Sequence, residues 1–130
     1  MTAERIITED PAALAARSAQ WISAAIREAS ASGKRCTLAL TGGSTVRSVY
    51  AGLAELPGIS WRSVTIFFGD ERAVPPDHPE SNYRLARETL LSRVSLATAQ
   101  VHRMEAERPD REQAARDYEA LLPDPLDILL

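Results

Sequence analysis

Two short stretches of this chain carry residue types that can do chemistry together. The first is Thr41-Gly42-Gly43-Ser44-Thr45. Adjacent glycines adopt backbone angles closed to other residues, so successive N–H groups can point into one concavity. Ser44 and Thr45 add hydroxyl donors, and the helical pattern from Val46 to Leu56 adds the positive end of its dipole. Such a turn suits a phosphate or another small anion. The same residues also read as a tight turn with a serine N-cap, and the motif alone does not separate the two readings. No Gly-Lys-Ser/Thr follows and no G-x-G-x-x-G is present, so one phosphate suits the turn better than a pyrophosphate.

The second stretch is Gly69-Asp70-Glu71-Arg72, two carboxylates and a guanidinium directly behind the apolar run Val64–Phe68. Charges at a strand end in an open α/β sheet are commonly functional. The plainer alternative is a solvated loop with an internal Glu71–Arg72 pair.

The elements around these stretches decide whether they meet. Cys36–Leu40 is a short apolar run leading into the glycine turn, and Val64–Phe68 is rich in β-branched and aromatic residues. Strand, helix and strand in succession imply a parallel pair with a right-handed crossover. Ligands of such sheets bind beyond the carboxyl ends of the strands, so both stretches are expected to face one crevice.

The remaining chain fills in an α/β pattern. Arg5–Thr8 reads as a short edge strand. Asp10-Pro11 reads as an N-cap and first helical residue, followed by a stripe of Leu14, Ser18, Trp21, Ile22, Ala25, Ile26 and Ala29 that Gly33 closes. Trp21 is expected in the core. Val46, Val49, Tyr50 and Leu53 form the face of the next helix, which Pro57-Gly58 ends. Ala73–Glu80 is proline-rich and reads as a semi-rigid flap over the crevice. Ser81 is a plausible N-cap for a helix carrying Tyr83, Leu85, Ala86, Thr89, Leu90 and Val94. Val101–Arg103 suggests a short strand. Asp110 caps a last helix with Ala114, Ala115, Tyr118, Leu121 and Leu122 on its apolar face, and Leu126–Leu130 begins another buried strand. The sequence stops inside that apolar run, so residues 1–130 read as one α/β domain, incomplete at its C-terminal side.

Composition bounds the function. The chain has 130 residues, 45% hydrophobic and 25% charged, an ordinary soluble balance. A net charge of −3 gives no footprint for nucleic acid or an anionic membrane. Cys36 is the single cysteine, expected as an inert core residue in a reducing compartment. No signal peptide or bilayer-spanning run is visible, which makes the cytoplasm the expected location. Two histidines, His78 and His102, and one cysteine have no ligand spacing, so no metal is expected. Ser44 lacks a partner histidine at nucleophile-elbow spacing, which argues against a serine esterase.

Taken in order, LALTGGSTVRSVYAGL, WRSVTIFFGDERAVP, PESNYRLARETLL and the final AARDYEALL with DPLDILL resemble the 6-phosphogluconolactonases, over nearly the whole chain. The Asp-Glu-Arg-x-Val-Pro segment followed by Ser-Asn is the most specific part. The related glucosamine-6-phosphate deaminases typically carry Tyr where this chain has Arg72. The resemblance implies an open, mostly parallel, Rossmann-type sheet with helices on both faces, of the sugar-phosphate isomerase-like kind. It implies hydrolysis of 6-phospho-D-glucono-1,5-lactone to 6-phospho-D-gluconate, the second step of the oxidative pentose phosphate pathway, with no cofactor. Gly42, Gly43, Ser44 and Thr45 match the phosphate-side turn, and Ser81 and Asn82 match the segment after the flap. Asp70 and Arg72 are the implied catalytic residues, with Arg72 also available to the phosphate. The implied partner is a small phosphosugar lactone, with no nucleic acid or membrane, and the oligomeric state stays open. Val46 stands where the family usually has Pro, at a position where proline only pre-sets the backbone. The family carries its expected general base, a histidine, in a Gly-x-Gly-x-Asp-Gly-His segment after the Asp-x-x-Leu-Leu strand, and this sequence stops before it. The alternatives are a sugar-phosphate isomerase or deaminase of the same fold, against which Arg72 and Val74-Pro75 argue, and a non-catalytic phosphosugar-binding fragment.

Overall fold

Asp10 and Pro11 begin the first helix as their types require: the Asp10 carboxylate accepts the Ala13 N–H at 2.7 Å, and Pro11 occupies the first helical turn, where no N–H is needed. The computed structural model describes residues 2–130. In chain order the elements are α1 (Pro11–Ala31), β1 (Cys36–Leu40), α2 (Ser44–Glu55), β2 (Val64–Phe68), α3 (Asn82–Thr89), α4 (Arg111–Glu119) and β3 (Ile128–Leu129). Gly33, at φ +70°, takes the chain out of α1 through a left-handed conformation that a side chain would strain.

The three strands form one parallel sheet in the order β2-β1-β3. Leu40 of β1 lies beside Phe68 of β2, so the two chains leave the sheet at the same end and level. The strand order reverses across β1, which places the glycine turn at the position where open α/β sheets form their crevice. At the other end Asp127 ties β3 to β1. Its carboxylate accepts the Thr37 N–H at 2.7 Å and hydroxyl at 2.8 Å, while its own N–H donates to Thr37 Oγ1 at 2.8 Å.

Alternation along the strands sorts the core into two layers. Cys36, Leu38 and Leu40 of β1, with Val64, Ile66 and Phe68 of β2, pack with α1, α2 and α3. Ala39 and Phe67 point the other way and pack with Tyr118 of α4 and Met104. Helices therefore cover both faces. The Tyr118 hydroxyl accepts the Phe68 N–H at 2.7 Å and lies 3.2 Å from the Phe68 carbonyl and 3.0 Å from that of His102, closing the backbone of β2.

Several expectations are corrected. Arg5–Thr8 forms no strand; among the described residues no strand pairs with it, and Ile7 is left 86% exposed. The buried face of α1 is Ala15, Ala19, Ile22, Ser23 and Ile26, while Trp21 is 57% exposed. The helix is turned so that small residues meet α2: a Cβ on Gly52 would sit 3.6 Å from that of Ala19, a spacing with no room for an indole. The helix begun at Ser81 ends at Thr89 and passes into a 3₁₀ turn, Leu91–Arg93. Val101 makes a single parallel bridge to Ile66 instead of a strand. Because α4 stops at Glu119, Leu121 and Leu122 fall beyond it and are exposed, as is Ala115. The strand expected over Leu126–Leu130 is the two residues of β3, with Ile128 buried and Leu129 exposed. Among the described residues no helix is long and apolar enough to cross a membrane.

Candidate functional site

The glycine turn leaves β1 at Thr41 and enters α2 at Ser44. Gly43 is the N-cap, at φ +111°, a conformation that only glycine takes without strain, and no side chain caps the helix. Ser44 is therefore the first residue of the helix and not its cap. Gly43, Ser44 and Thr45 are exposed. The result is a helix start with free donors and a positive dipole end open to solvent.

Asp70 stands across from it, and Arg72 follows two residues on. The Thr41 hydroxyl donates to Asp70 Oδ1 at 3.0 Å, which joins the two strand ends directly. Thr41 is fixed in turn by the buried Tyr50, whose hydroxyl accepts the Thr41 N–H at 2.9 Å and donates to the Thr41 carbonyl at 2.7 Å. Burial, together with the nearby Asp70 charge, pushes the Tyr50 hydroxyl up to about 12, so it stays a donor at any ordinary pH. Asp70 Oδ2 accepts no hydrogen bond among the described residues.

Arg72 is exposed. Its guanidinium donates to the Glu80 carbonyl at 2.8 Å and makes no other hydrogen bond among the described residues. It forms no ion pair with Glu71; only the Arg72 backbone N–H meets that carboxylate, at 2.8 Å. The internal pair considered for this loop is therefore absent. The 73–80 flap is held by this Arg72 contact, by Arg84 on the Asp77 carbonyl at 2.9 Å, and by backbone bonds from His78 to Pro75 and Ser81 to His78, each 3.0 Å.

Ser81 and Asn82 are each 2% exposed, and every side-chain polar atom of the two except Asn82 Oδ1 has a hydrogen-bond partner among the described residues. The Ser81 hydroxyl donates to Glu71 at 3.0 Å and accepts the Arg84 N–H at 3.2 Å. Asn82 Nδ2 donates to the Asp70 carbonyl at 3.2 Å. Its Oδ1 occupies the space beside Gly42: a Cβ there would lie 1.9 Å from it. Both residues are buried, with Asn82 Oδ1 set against the glycine turn. Glu71, read from the sequence as part of the charged strand-end stretch but given no role of its own, is the partner that holds them; these contacts lie 10 to 12 residues away in sequence, beyond any local pattern.

Neither histidine joins the group. His78 Nδ1 accepts the Glu80 N–H at 3.1 Å on the flap, and His102 stacks on Phe67 with ring centroids 5.0 Å apart. Cys36 is buried; that burial, with Asp127 nearby, pushes its thiol up to about 11, which makes it unreactive. Among the described residues no three of His, Cys, Asp and Glu gather as a metal site.

Comparison with known proteins agrees with this architecture. Residues 9–130 match the model of the glucosamine-6-phosphate isomerases/6-phosphogluconolactonase family. A 6-phosphogluconolactonase of Synechocystis sp. is 42% identical over 83 residues, which is 64% of this chain and 34% of that protein. One from Mycobacterium leprae is 35% identical over 127 residues, 94% of this chain and 51% of that protein. The crystal structure of a 6-phosphogluconolactonase from Thermotoga maritima superposes with a TM-score of 0.84 at 28% identity, covering 95% of this chain and 56% of that one. The chain thus spans about half the length, or less, of the curated relatives it matches. A match that runs through both crevice loops and every strand assigns the chain to the glucosamine-6-phosphate isomerase/6-phosphogluconolactonase family.

Proposed function

We propose that this chain carries the phosphosugar-gripping part of a 6-phosphogluconolactonase, acting on 6-phospho-D-glucono-1,5-lactone. The observation that supports the reading is the Thr41–Asp70 hydrogen bond, which joins the loop before an uncapped helix start to a carboxylate with a free oxygen, two residues ahead of the exposed Arg72. The phosphate binds at the N–H groups and hydroxyls of Gly42, Gly43, Ser44 and Thr45. Arg72 supplies fixed positive charge to the phosphate side and to the carbonyl oxygen as it becomes an oxyanion. Asp70 orients the attacking water or a sugar hydroxyl through its free oxygen. Water adds to the lactone carbonyl, the ring C–O bond breaks, the ring oxygen takes up a proton, and a carboxylate leaves. Activation of the water belongs to the histidine of the Gly-x-Gly-x-Asp-Gly-His segment that the family carries. Ser81 and Asn82 support the loops from behind.

Each charge-assisted hydrogen bond contributes about 1.5–3 kcal/mol. Several of them, less an association cost of at least ~4 kcal/mol, give affinities in the micromolar to millimolar range. The test assays this chain beside a form carrying the Gly-x-Gly-x-Asp-Gly-His segment after Leu130, with the lactone and with glucosamine 6-phosphate. Lactone turnover confined to the longer form, with 6-phosphogluconate bound by both, supports the reading. Full turnover by the 130-residue chain removes the role given to that histidine, and deaminase activity redirects the substrate.

A further inference from the structure

Glu71 sits between two candidate site residues in the sequence yet faces away from the crevice in its bonding. Its carboxylate accepts four hydrogen bonds: from the Arg72 N–H at 2.8 Å and the Asn82 N–H at 2.7 Å on Oε1, and from the Ser81 hydroxyl and the Tyr83 N–H, both at 3.0 Å, on Oε2. A carboxylate in that position satisfies the free donors of the α3 start and pins the helix to the end of β2. The first residue of α3 is Asn82, whose side chain meets Gly42 so closely that no Cβ fits between them. A continuous path of contact therefore runs from Glu71 through Asn82 to the glycine turn.

We infer that Glu71 is a positioning residue for the glycine turn, acting through Asn82. The inference rests on the phosphate-binding reading of that turn only for its consequence in binding. The mechanical link is measurable without any ligand. A shift of α3 along its axis would move Asn82 Oδ1 off Gly42 and let the turn relax, altering the direction of the N–H groups at the mouth. Replacing the carboxylate by an amide, Glu71→Gln, keeps the shape but turns one acceptor oxygen into a donor facing two donors. Glu71→Asp keeps the charge and shortens the reach.

The chain has six glycines, so selective 15N-glycine labelling gives a short, assignable spectrum. In E71Q and E71D the Gly42 and Gly43 resonances are expected to move, while Gly33 and Gly58, in the loops after α1 and α2, keep their wild-type positions and report an intact fold. In the N82A background the E71D change is expected to leave Gly42 and Gly43 unmoved. Titration with 6-phosphogluconate is expected to show roughly tenfold weaker binding in E71Q, the loss of about one charge-assisted contact, with the much weaker binding of unphosphorylated gluconate unchanged. A folded E71D or E71Q with Gly42 and Gly43 at wild-type positions overturns the inference. So does equal weakening towards both ligands. If wild-type Gly42 and Gly43 ignore 6-phosphogluconate, the phosphate reading fails instead, and the ligand-free spectra still decide the role of Glu71.

Discussion

Thr41 and Asp70 lie 29 residues apart in the chain and 3.0 Å apart across the mouth of the sheet, joined by a hydroxyl-to-carboxylate hydrogen bond. Leu40 and Phe68 are register partners in the parallel pair, so the next residues out meet as a matter of strand geometry. The bond makes one rim of two loops.

Removing that bond while keeping the shape separates stability from binding. Thr41→Val is expected to change the unfolding free energy by less than ~1 kcal/mol, as usual for a partly exposed position. Affinity for 6-phosphogluconate is expected to fall several-fold, of the order of 1 kcal/mol, because Asp70 loses its orientation. Calorimetric titration and urea unfolding of the same variant check both halves.

Arg72 fastens the flap through the Glu80 carbonyl, and in the proposed reading the same planar group meets the anion. Arg72→Lys keeps the charge but loses the fork. Binding of 6-phosphogluconate is expected to weaken about tenfold or more. Residues 73–80 are expected to exchange amide hydrogens faster, since the Glu80 carbonyl loses its partner. Hydrogen-exchange mass spectrometry of the variant reads the second effect without any ligand.

Gly42 is constrained by space and not by backbone angle. A methyl there would lie 1.9 Å from Asn82 Oδ1. Gly42→Ala is expected to cost about 1–3 kcal/mol as an overpacked contact. Combining it with Asn82→Ala opens room, so the double variant is expected to lose less than the sum of the singles, by at least ~0.5 kcal/mol. Denaturant midpoints of the four proteins complete the cycle.

Alkaline titration reports the buried hydroxyl that steadies Thr41. The Tyr50 group is raised from 10.0 to about 12 in the folded protein, so the folded state holds its proton more tightly than the unfolded chain. That contribution is complete below pH 10, declines between pH 10 and 12, and is gone above. Cys36, raised from 9.0 to about 11, adds a decline of the same sign from pH 9. Tyr50→Phe is expected to be less stable at pH 8 and to show a shallower alkaline loss than wild type. Unfolding followed by tryptophan fluorescence at pH 8, 10 and 12 measures the difference.

What the chain disclosed in advance follows from the range of the forces involved. The bounds of α1 were legible because Asp10, Pro11 and Gly33 act on their own backbone neighbours. The two main strands were legible because burial on both faces demands apolar runs. The meeting of the two loops followed from parallel pairing. Trp21 was misplaced because helical spacing gives a stripe but not the neighbour's shape; Ala19 against Gly52 set the rotation of α1. The inward roles of Ser81, Asn82 and Glu71 were hidden because they are made by contacts between a strand end and a helix start. Polar residues on a loop look alike in sequence whether they face water or one another.

The contact between α1 and α2 leaves a vacancy of one methyl group. Nothing but the Ala19 Cβ, at 3.6 Å, would meet a Cβ on Gly52. Alanine is favoured over glycine within a helix by about 1 kcal/mol. Gly52→Ala is therefore expected to raise the melting temperature by a few degrees, measurable by calorimetry, while leaving 6-phosphogluconate affinity unchanged. The protein keeps a site where it can be made sturdier at no expense to its grip.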